Sequence, residues 1–261
     1  MFSTLDREMM KAIERFTATV TVPILHEPKA EFVDQVGTGT LFDVDGRLLL
    51  ITAKHIFEQI DPKDLVIPSA NVTDLHGIGE FALHQADEEA IDIAIVELLH
   101  PPSIQRARNG WRILSLTDTG SPSREGRFVL SGYPSERGVR SGGLLGGSLL
   151  TVHTERLSKT PVHATLPVHD DLDLFFRYDR EMETVDGKMH AAPKLQGCSG
   201  ASIWEYSEPD GMRWWTAEQC LRIVGVQSSF LGKKEYFRGK SWTYVASMIE
   251  RILAGNTVRT N

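Results

Sequence analysis

Short apolar segments alternate with polar, glycine-containing turns along most of the chain, and this pattern is typical of an all-β protein. The dipeptide Asp45-Gly46 separates two of these segments and predicts a tight hairpin. Clusters of apolar and β-branched residues predict strands over residues 17–25, 37–44, 47–52, 65–68, 79–84, 90–98, 111–116, 127–131, 148–155, 172–178, 203–206 and 221–229. The stretch 101–110 contains proline, arginine and asparagine, and the stretch 135–147 is rich in glycine and contains two arginines, so both are predicted to be surface connections.

Helical spacing replaces this pattern near both ends of the chain. The apolar residues that recur at this spacing are Leu5, Met9, Ala12, Ile13 and Phe16 near the N-terminus and Val245, Met248, Ile249, Ile252 and Leu253 near the C-terminus. Acidic residues in the first turn suit the N-terminal helix, which is predicted over residues 4–16. We expect this helix to dock on the body of the protein, with docking on a partner as the alternative.

Three residues with catalytic chemistry accompany the apolar segments in the order His55, Asp92, Ser199. Ser199 lies in the glycine-flanked stretch Gln196-Gly197-Cys198-Ser199-Gly200, and a serine hydroxyl is a poor nucleophile unless a base activates it. His55 ends an apolar segment, and Asp92 lies within another. A lone carboxylate is costly to bury, whereas a neutral imidazole that donates its N–H would give Asp92 a partner.

With these residues the chain resembles the trypsin-like serine proteases of the chymotrypsin fold. The similar segments are Gly-Thr-Gly-Thr-Leu-Phe at 37–42, Leu-Ile-Thr-Ala-Lys-His at 50–55, Asp-Ile-Ala-Ile at 92–95, Gly-Cys-Ser-Gly at 197–200 and Gly-Val-Gln-Ser-Ser at 225–229. The resemblance implies two six-stranded antiparallel β-barrels that form one peptidase domain. Residues 1–16 would be the helix, 17–116 the first barrel, and 117–261 the second barrel with the C-terminal helix.

The resemblance also implies a role for each site residue. Ser199 would attack the substrate carbonyl, His55 would act as its base, and Asp92 would orient His55. The backbone N–H groups of Gly197 and Ser199 would form the oxyanion hole.

A pocket for the residue before the cleaved bond is implied as well. By resemblance it would be lined by Pro193, Lys194, Ser228, Ser229, Phe230, Gly239 and Lys240. Trypsins place an aspartate six residues before the serine, but Pro193 stands there, so a preference for Arg or Lys is not implied. Phe230 would narrow the pocket, and Lys240 would favour acidic side chains.

Cys198 departs from the family pattern, because many members have an aspartate there that pairs with a new N-terminus after zymogen cleavage. This difference suggests that the catalytic site assembles without proteolytic cleavage of the chain. Cys198 is also a rival nucleophile, but related viral proteases place their cysteine just before the glycine, and here Ser199 precedes Gly200. Ala201 stands where many members have glycine, and its small side chain is compatible with activity.

Composition and spacing argue against several other classes. A net charge of −7 argues against a nucleic-acid-binding protein. An α/β-hydrolase needs a histidine after its serine, and none follows Ser199. The histidines at 153, 163 and 169 lack the spacing of a zinc site, and residues 142–147 lack the end of a phosphate-binding loop, so neither a metal nor a cofactor is predicted.

The presence of only two cysteines favours a reducing compartment, and no signal peptide or membrane span is predicted, so we expect a cytoplasmic protein. The function predicted is a serine endopeptidase that acts on a peptide or protein substrate, with a regulatory protein partner as a further hypothesis. Two alternatives remain: a catalytically silent module of the same fold that binds peptide or protein, and an esterase-like acyl transferase that uses the same site.

Overall fold

A computed structural model describes residues 4–29, 32–58, 60–69, 75–88, 90–141, 144–183, 188–207, 215–231 and 235–255 of the chain. The helices are α1 (Thr4–Val20), α2 (Pro101–Gly110), α3 (Ala217–Cys220) and α4 (Trp242–Leu253). The strands of the N-terminal half are β1 (Thr21–Lys29), β2 (Phe32–Val44), β3 (Arg47–Thr52), β4 (Leu65–Pro68), β5 (Leu75–Gly77), β6 (Phe81–Gln85) and β7 (Ala94–Leu98). Those of the C-terminal half are β8 (Arg127–Gly132), β9 (Val139–Ser141), β10 (Leu144–Gly146), β11 (Leu150–Glu155), β12 (Asp173–Arg177), β13 (Glu181–Glu183), β14 (Met189–Ala191), β15 (Ser202–Tyr206), β16 (Leu221–Leu231) and β17 (Tyr236–Ser241).

The N-terminal half forms one curled antiparallel sheet with the strand order β5-β4-β1-β2-β3-β7-β6. The predicted hairpin between β2 and β3 is confirmed: Asp45 and Gly46 form its turn, and both have positive φ, 51° and 81°. Alternate residues of the strands fill the interior, and they include Val22, Ile24, Leu41, Leu48, Leu50 and Val96. The sheet has seven strands rather than the six expected, because β5 is too short for its pattern to be recognised in the sequence.

The C-terminal half forms a second antiparallel sheet with the order β11-β8-β15-β16-β17-β12. Two small hairpins, β9–β10 and β13–β14, lie beside it. Its interior is aromatic: Phe176 stacks on Phe237 with ring centroids 5.1 Å apart, and Phe128 meets Phe176 edge-on at the same distance. The mostly β class and the number of strands in this sheet are as predicted, but β17 (Tyr236–Ser241) was not among the strands predicted from the sequence.

A third apolar cluster joins the two sheets to the terminal helices. It contains Met9 and Ile13 of α1, Phe42 of β2, Trp204 of β15 and Trp242 of α4. The ring of Phe16 in α1 meets Trp204 edge-on, with centroids 5.7 Å apart, and such a pair contributes about 0.5–1.5 kcal/mol beyond its buried area. The N-terminal helix is therefore part of the core.

Helix α1 runs to Val20, four residues beyond the predicted end, and the strand predicted over 17–25 begins only at Thr21. The β-branched residues 17–20 favour a strand by propensity, but Thr17 and Val20 are fully buried in the helical conformation. The hydroxyls of Thr17 and Thr19 also donate to the carbonyl oxygens three residues earlier. Packing and these hydrogen bonds outweigh the strand propensity.

Two other segments differ from their predictions. Residues 101–110, expected to be a linker, form α2, where Pro101 lies at the first helical position and Ala107 is buried. Residues 111–116, expected to be a strand, make only an isolated bridge between Leu114 and Phe42. Among the described residues, no helix combines the length and apolarity that crossing a membrane requires.

Candidate active site

The pairing of β3 with β7 brings His55 and Asp92 together. The two strands are antiparallel, and Thr52 at the end of β3 lies opposite Ala94 at the start of β7. His55 follows β3 in the short helical turn Lys54–Glu58, and Asp92 precedes β7. The His55 backbone N–H donates to Asp92 Oδ1 at 2.9 Å, and His55 Nδ1 lies 2.7 Å from Asp92 Oδ2.

This double hydrogen bond fixes the tautomer of His55. An ionised carboxylate only accepts hydrogen bonds, so Nδ1 carries the proton and Nε2 keeps its lone pair. The hydrogen bond to Asp92 raises the pKa of His55, while partial burial opposes the shift. The result is an oriented imidazole with increased basicity, the property that a general base requires.

Asp92 does not lie inside a strand as predicted, because β7 begins only at Ala94. Its neighbours Ile91 and Ile93 are fully buried, whereas the Asp92 side chain is 22% exposed. The extended backbone before β7 thus places two isoleucines in the core and the carboxylate at His55.

The turn that carries Ser199 is fixed against the first sheet. Gly197 and Gly200 have φ of 91° and 86°, in the left-handed region that favours glycine. A Cβ on Gly200 would collide with the carbonyl oxygen of Thr38, so only glycine fits. The Thr38 backbone N–H donates to the Ser199 carbonyl oxygen at 2.8 Å, and the Thr38 hydroxyl donates to the Gly197 carbonyl oxygen at 2.9 Å.

Two amide groups of this turn are available to a ligand. No hydrogen bond among the described residues uses the N–H of Gly197 or Ser199. The Cys198 carbonyl oxygen accepts from the Ala201 N–H at 2.8 Å, and a trans peptide directs its N–H opposite to its carbonyl, so the orientation of the Ser199 N–H is fixed. These are the two amides predicted for the oxyanion hole.

His55, Asp92 and Ser199 line one cleft of about 900 Å³ at the junction of the two sheets. Within the described structure, the Ser199 hydroxyl and the His55 ring are not hydrogen bonded to each other. Serine–histidine hydrogen bonds are often long in ligand-free sites and shorten when substrate binds.

Five of the predicted substrate-binding residues also line the cleft: Pro193, Lys194, Ser228, Ser229 and Phe230. Tyr178 and Gln227 line it too, although the predicted pocket residues did not include them. Tyr178 donates its hydroxyl hydrogen bond to the Pro193 carbonyl oxygen, and its ring meets Phe230 edge-on at 5.1 Å. In the sequence, Gln227 could have been predicted to line the cleft because it directly precedes Ser228, whereas no comparable signal marks Tyr178.

Lys240 and Gly239 were expected in the pocket, but neither lines the cleft. The Lys240 side chain is 2% exposed, and its ammonium donates to Asp173 Oδ1 at 2.6 Å. Arg238 donates to the same carboxylate, which is fully buried. Burial alone would raise the pKa of Asp173, but hydrogen bonds from Arg238, the His169 N–H and Lys240 hold it below its ordinary value. The charge of Lys240 is thus paired inside the protein and does not face the cleft. The expected preference for acidic substrates therefore has no structural support.

Cys198 is fully buried in the core of the second sheet. Burial raises the pKa of its thiol to about 12, so it is protonated at neutral pH. A protonated, inaccessible thiol is a poor nucleophile, which supports Ser199 over Cys198.

Among the described residues, no group of three or more His, Cys, Asp or Glu side chains is placed to hold a metal ion. Neither a protein-family model nor a curated protein matches the sequence.

Solved structures do match the chain. The active form of the Rv3671c protease from M. tuberculosis superimposes with a TM-score of 0.53 and 16% identity, covering 98% of this chain and 88% of that one. The inactivated protease paralogue S-I1 of the scabies mite superimposes with a TM-score of 0.58 and 15% identity, covering 93% and 96%.

This chain has the chymotrypsin-like fold of the trypsin-like proteases. A second inactivated paralogue of the scabies mite, S-D1, matches with a TM-score of 0.54 and 13% identity, covering 95% of this chain and 97% of that one. The chymotrypsin-like fold therefore occurs both in an active protease and in inactivated ones, and activity has to be argued from the site.

Proposed function

We propose that the protein is a serine endopeptidase with Ser199 as nucleophile, His55 as general base and Asp92 as the residue that orients His55. The observation that carries the proposal is the double hydrogen bond from His55 to Asp92 in the cleft that also contains Ser199. A carboxylate–imidazole pair beside a serine on a glycine turn is the arrangement that activates a hydroxyl.

The reaction follows from these positions. Ser199 Oγ bonds to the substrate carbonyl carbon while its proton moves to His55 Nε2, and the carbonyl oxygen becomes an oxyanion. The N–H groups of Gly197 and Ser199 donate to that oxygen. The tetrahedral intermediate then expels the amine, which takes the proton from Nε2, and water hydrolyses the acyl-enzyme by the same steps. No cofactor takes part.

The topology of β16 favours an extended peptide as substrate. Strand β15 pairs with β16 only as far as Val226, whereas β17 pairs with it through Leu231. The edge of β16 from Ser228 to Phe230 that continues the β15 side thus lacks a partner strand among the described residues, and it borders the cleft. An extended peptide can add to such an edge through main-chain hydrogen bonds.

A fluorophosphonate probe tests the proposal directly, because it bonds only to an activated serine. Wild type and Cys198→Ala should be labelled, whereas Ser199→Ala should not. Labelling that persists in Ser199→Ala would place the nucleophile elsewhere. Matched peptide and ester substrates then separate an endopeptidase from an esterase-like acyl transferase.

The second candidate is a catalytically silent module that binds peptide or protein. It is favoured by the likeness to the inactivated scabies mite paralogues. The lack of a Ser199–His55 hydrogen bond in the described structure also fits it. If pure wild type fails to react with the probe and Ser199→Ala binds peptides as well as wild type, this candidate replaces the endopeptidase.

We also propose that the protein works in a reducing compartment such as the cytoplasm. Cys198 and Cys220 are both buried, and no disulfide joins them. Activity that is unchanged by millimolar reductant would agree with this, whereas inactivation by reductant would contradict it.

A regulatory protein partner would bind the exposed polar side of α1, since Met9 and Ile13 on the other side of that helix lie in the core.

A further inference from the structure

A short turn in the C-terminal half of the chain binds the segment 194–196, which leads into Ser199. Residues 133–138 contain the helical turn Ser135–Arg137. The Ser135 N–H donates to the Gln196 carbonyl oxygen at 2.7 Å, and the Glu136 carboxylate accepts from the Lys194 N–H at 2.8 Å. The turn thus binds residues 194–196 at two backbone groups.

The first of these bonds orients an oxyanion-hole donor. The peptide group between Gln196 and Gly197 has its carbonyl directed at Ser135, and a trans peptide directs its N–H the opposite way. The Gly197 N–H is therefore turned away from Ser135 and has no acceptor among the described residues. If this peptide rotated by half a turn, a carbonyl oxygen would replace the donor and repel the developing oxyanion.

The turn is itself attached to the first sheet. The Tyr133 N–H donates to Thr38 Oγ1 at 3.1 Å, and the Gln35 side chain donates to the Tyr133 carbonyl oxygen. Contact with Gly197 is close, since a Cβ on that residue would lie 2.8 Å from Ser135 N and 2.8 Å from the Tyr133 carbonyl oxygen. The turn is thus a fixed support rather than the free surface loop that its sequence suggested.

We propose that Glu136 is a positioning residue that holds the oxyanion turn, in a chain whose residue 198 carries no charge. This inference rests on the proposed endopeptidase function. Its carboxylate makes a charge-assisted bond to the Lys194 amide, and such a bond is stronger than one between neutral groups. By fixing Lys194 it keeps Gln196 within reach of Ser135, so the Gly197 donor is in place before substrate arrives. Glu136 acts through the backbone and does not touch the reacting atoms.

Steady-state kinetics of Glu136→Ala, Glu136→Gln and the control Glu125→Ala test the role. Glu125 is an exposed glutamate of the loop before β8. We expect Glu136→Ala to lower kcat by about 10- to 100-fold with little change in KM, less than the roughly 10²- to 10³-fold loss caused by removing a whole oxyanion donor. Glu136→Gln keeps an acceptor oxygen and should recover most of the rate, and Glu125→Ala should match wild type.

Inhibitor affinity gives a readout that a purely structural role would not move. A peptide aldehyde forms a hemiacetal whose oxygen needs the oxyanion hole, whereas the matching peptide alcohol binds only in the groove. Glu136→Ala should weaken the aldehyde by about the same factor as kcat and leave the alcohol and the melting temperature unchanged.

The possible outcomes separate this inference from the function on which it rests. If wild type does not react with the fluorophosphonate, the endopeptidase proposal fails first. If wild type reacts, a normal kcat in Glu136→Ala overturns the positioning role, and so does equal weakening of the aldehyde and the alcohol. Should Glu136→Ala not fold, Glu136→Ser decides, because its short side chain does not reach the Lys194 N–H: losses of kcat and aldehyde affinity with unchanged alcohol affinity support the role, and near-normal values overturn it.

Discussion

Asp92 binds His55 at two points, the backbone N–H at 2.9 Å and the ring Nδ1 at 2.7 Å. The hydrogen bond to the backbone N–H fixes the position of the His55 main chain, and the hydrogen bond to Nδ1 fixes the orientation of the imidazole ring. In the neutral imidazole the proton is then held on Nδ1, so the Nε2 atom available to Ser199 is an acceptor. A single carboxylate thereby sets the position, the tautomer and the basicity of the base.

Asp92→Asn should lower kcat by about 10³- to 10⁴-fold, because the amide can hold the wrong tautomer and cannot stabilise an imidazolium. The acid limb of the kcat/KM profile should also move. Only neutral His55 can accept the proton, and Asp92 raises the pKa of His55, so wild type loses activity as pH falls through that raised value. Without the carboxylate the pKa falls and the limb shifts to lower pH.

Glu58→Gln is the matched control for this profile. Glu58 lines the same cleft, and its charge makes the smallest contribution to raising the pKa of His55. We expect a smaller shift of the acid limb in the same direction, with kcat close to that of wild type. An acid limb that stays in place in Asp92→Asn would contradict the assignment of the base.

Cys198 should resist alkylation in the native protein. Its thiol is fully buried, and burial raises its pKa to about 12, so little thiolate forms at pH 8. Native protein treated with iodoacetamide should keep its fluorophosphonate reactivity, and peptide mapping should find Cys198 modified only after unfolding. Modification of Cys198 in native protein, with loss of labelling, would reopen the cysteine as a nucleophile.

Asp173→Asn should lower the free energy of unfolding by about 3–5 kcal/mol, because it leaves the buried cations of Arg238 and Lys240 without their counter-charge. Denaturant titration measures this loss. The control is Asp87→Asn, which removes a pair with Arg251 whose carboxylate is 78% exposed, and it should cost less than about 1 kcal/mol. Equal losses of unfolding free energy in the two variants would mean that the buried ion pairs of Asp173 stabilise the fold no more than an exposed pair does.

The stabilising contribution of Asp173 should also depend on pH. Its pKa is lowered in the folded state, so its contribution is complete above the pKa of an unfolded aspartate and is lost as pH falls through the folded value. The difference in unfolding free energy between wild type and Asp173→Asn should therefore shrink in acid. A difference that stayed constant down to acid pH would argue against a lowered pKa.

Phe230→Ala should broaden substrate choice. Phe230 and Tyr178 form an aromatic wall of the cleft, and Tyr178 is tied to the Pro193 carbonyl oxygen. Removing the Phe230 ring enlarges the space, so kcat/KM for peptides with a bulky residue before the cut should rise relative to those with alanine there. Peptide-library profiling measures this ratio, and an unchanged ratio would place the pocket elsewhere in the cleft.

The sequence by itself determined most strands of the two sheets and the hairpin at Asp45-Gly46, and its resemblance to the trypsin-like proteases pointed to the chymotrypsin-like fold. The strands and the hairpin follow from the alternation of apolar residues and from turn chemistry, which act over a few residues and can therefore be recognised in short segments of the sequence. The order of His55, Asp92 and Ser199 was visible for the same reason, since each stands in a short recognisable segment. Their pairing as a catalytic site remains a prediction that the geometry supports.

Only the tertiary structure decided which groups meet. Residues 17–20 have strand propensity, but packing of Thr17 and Val20 into the core keeps them helical. The charge of Lys240 was visible in the sequence, whereas its capture by Asp173 depends on the pairing of β12 with β17. The support that Glu136 gives to Lys194 joins segments 58 residues apart. Contacts of this kind depend on how distant segments are brought together, and no local pattern encodes them.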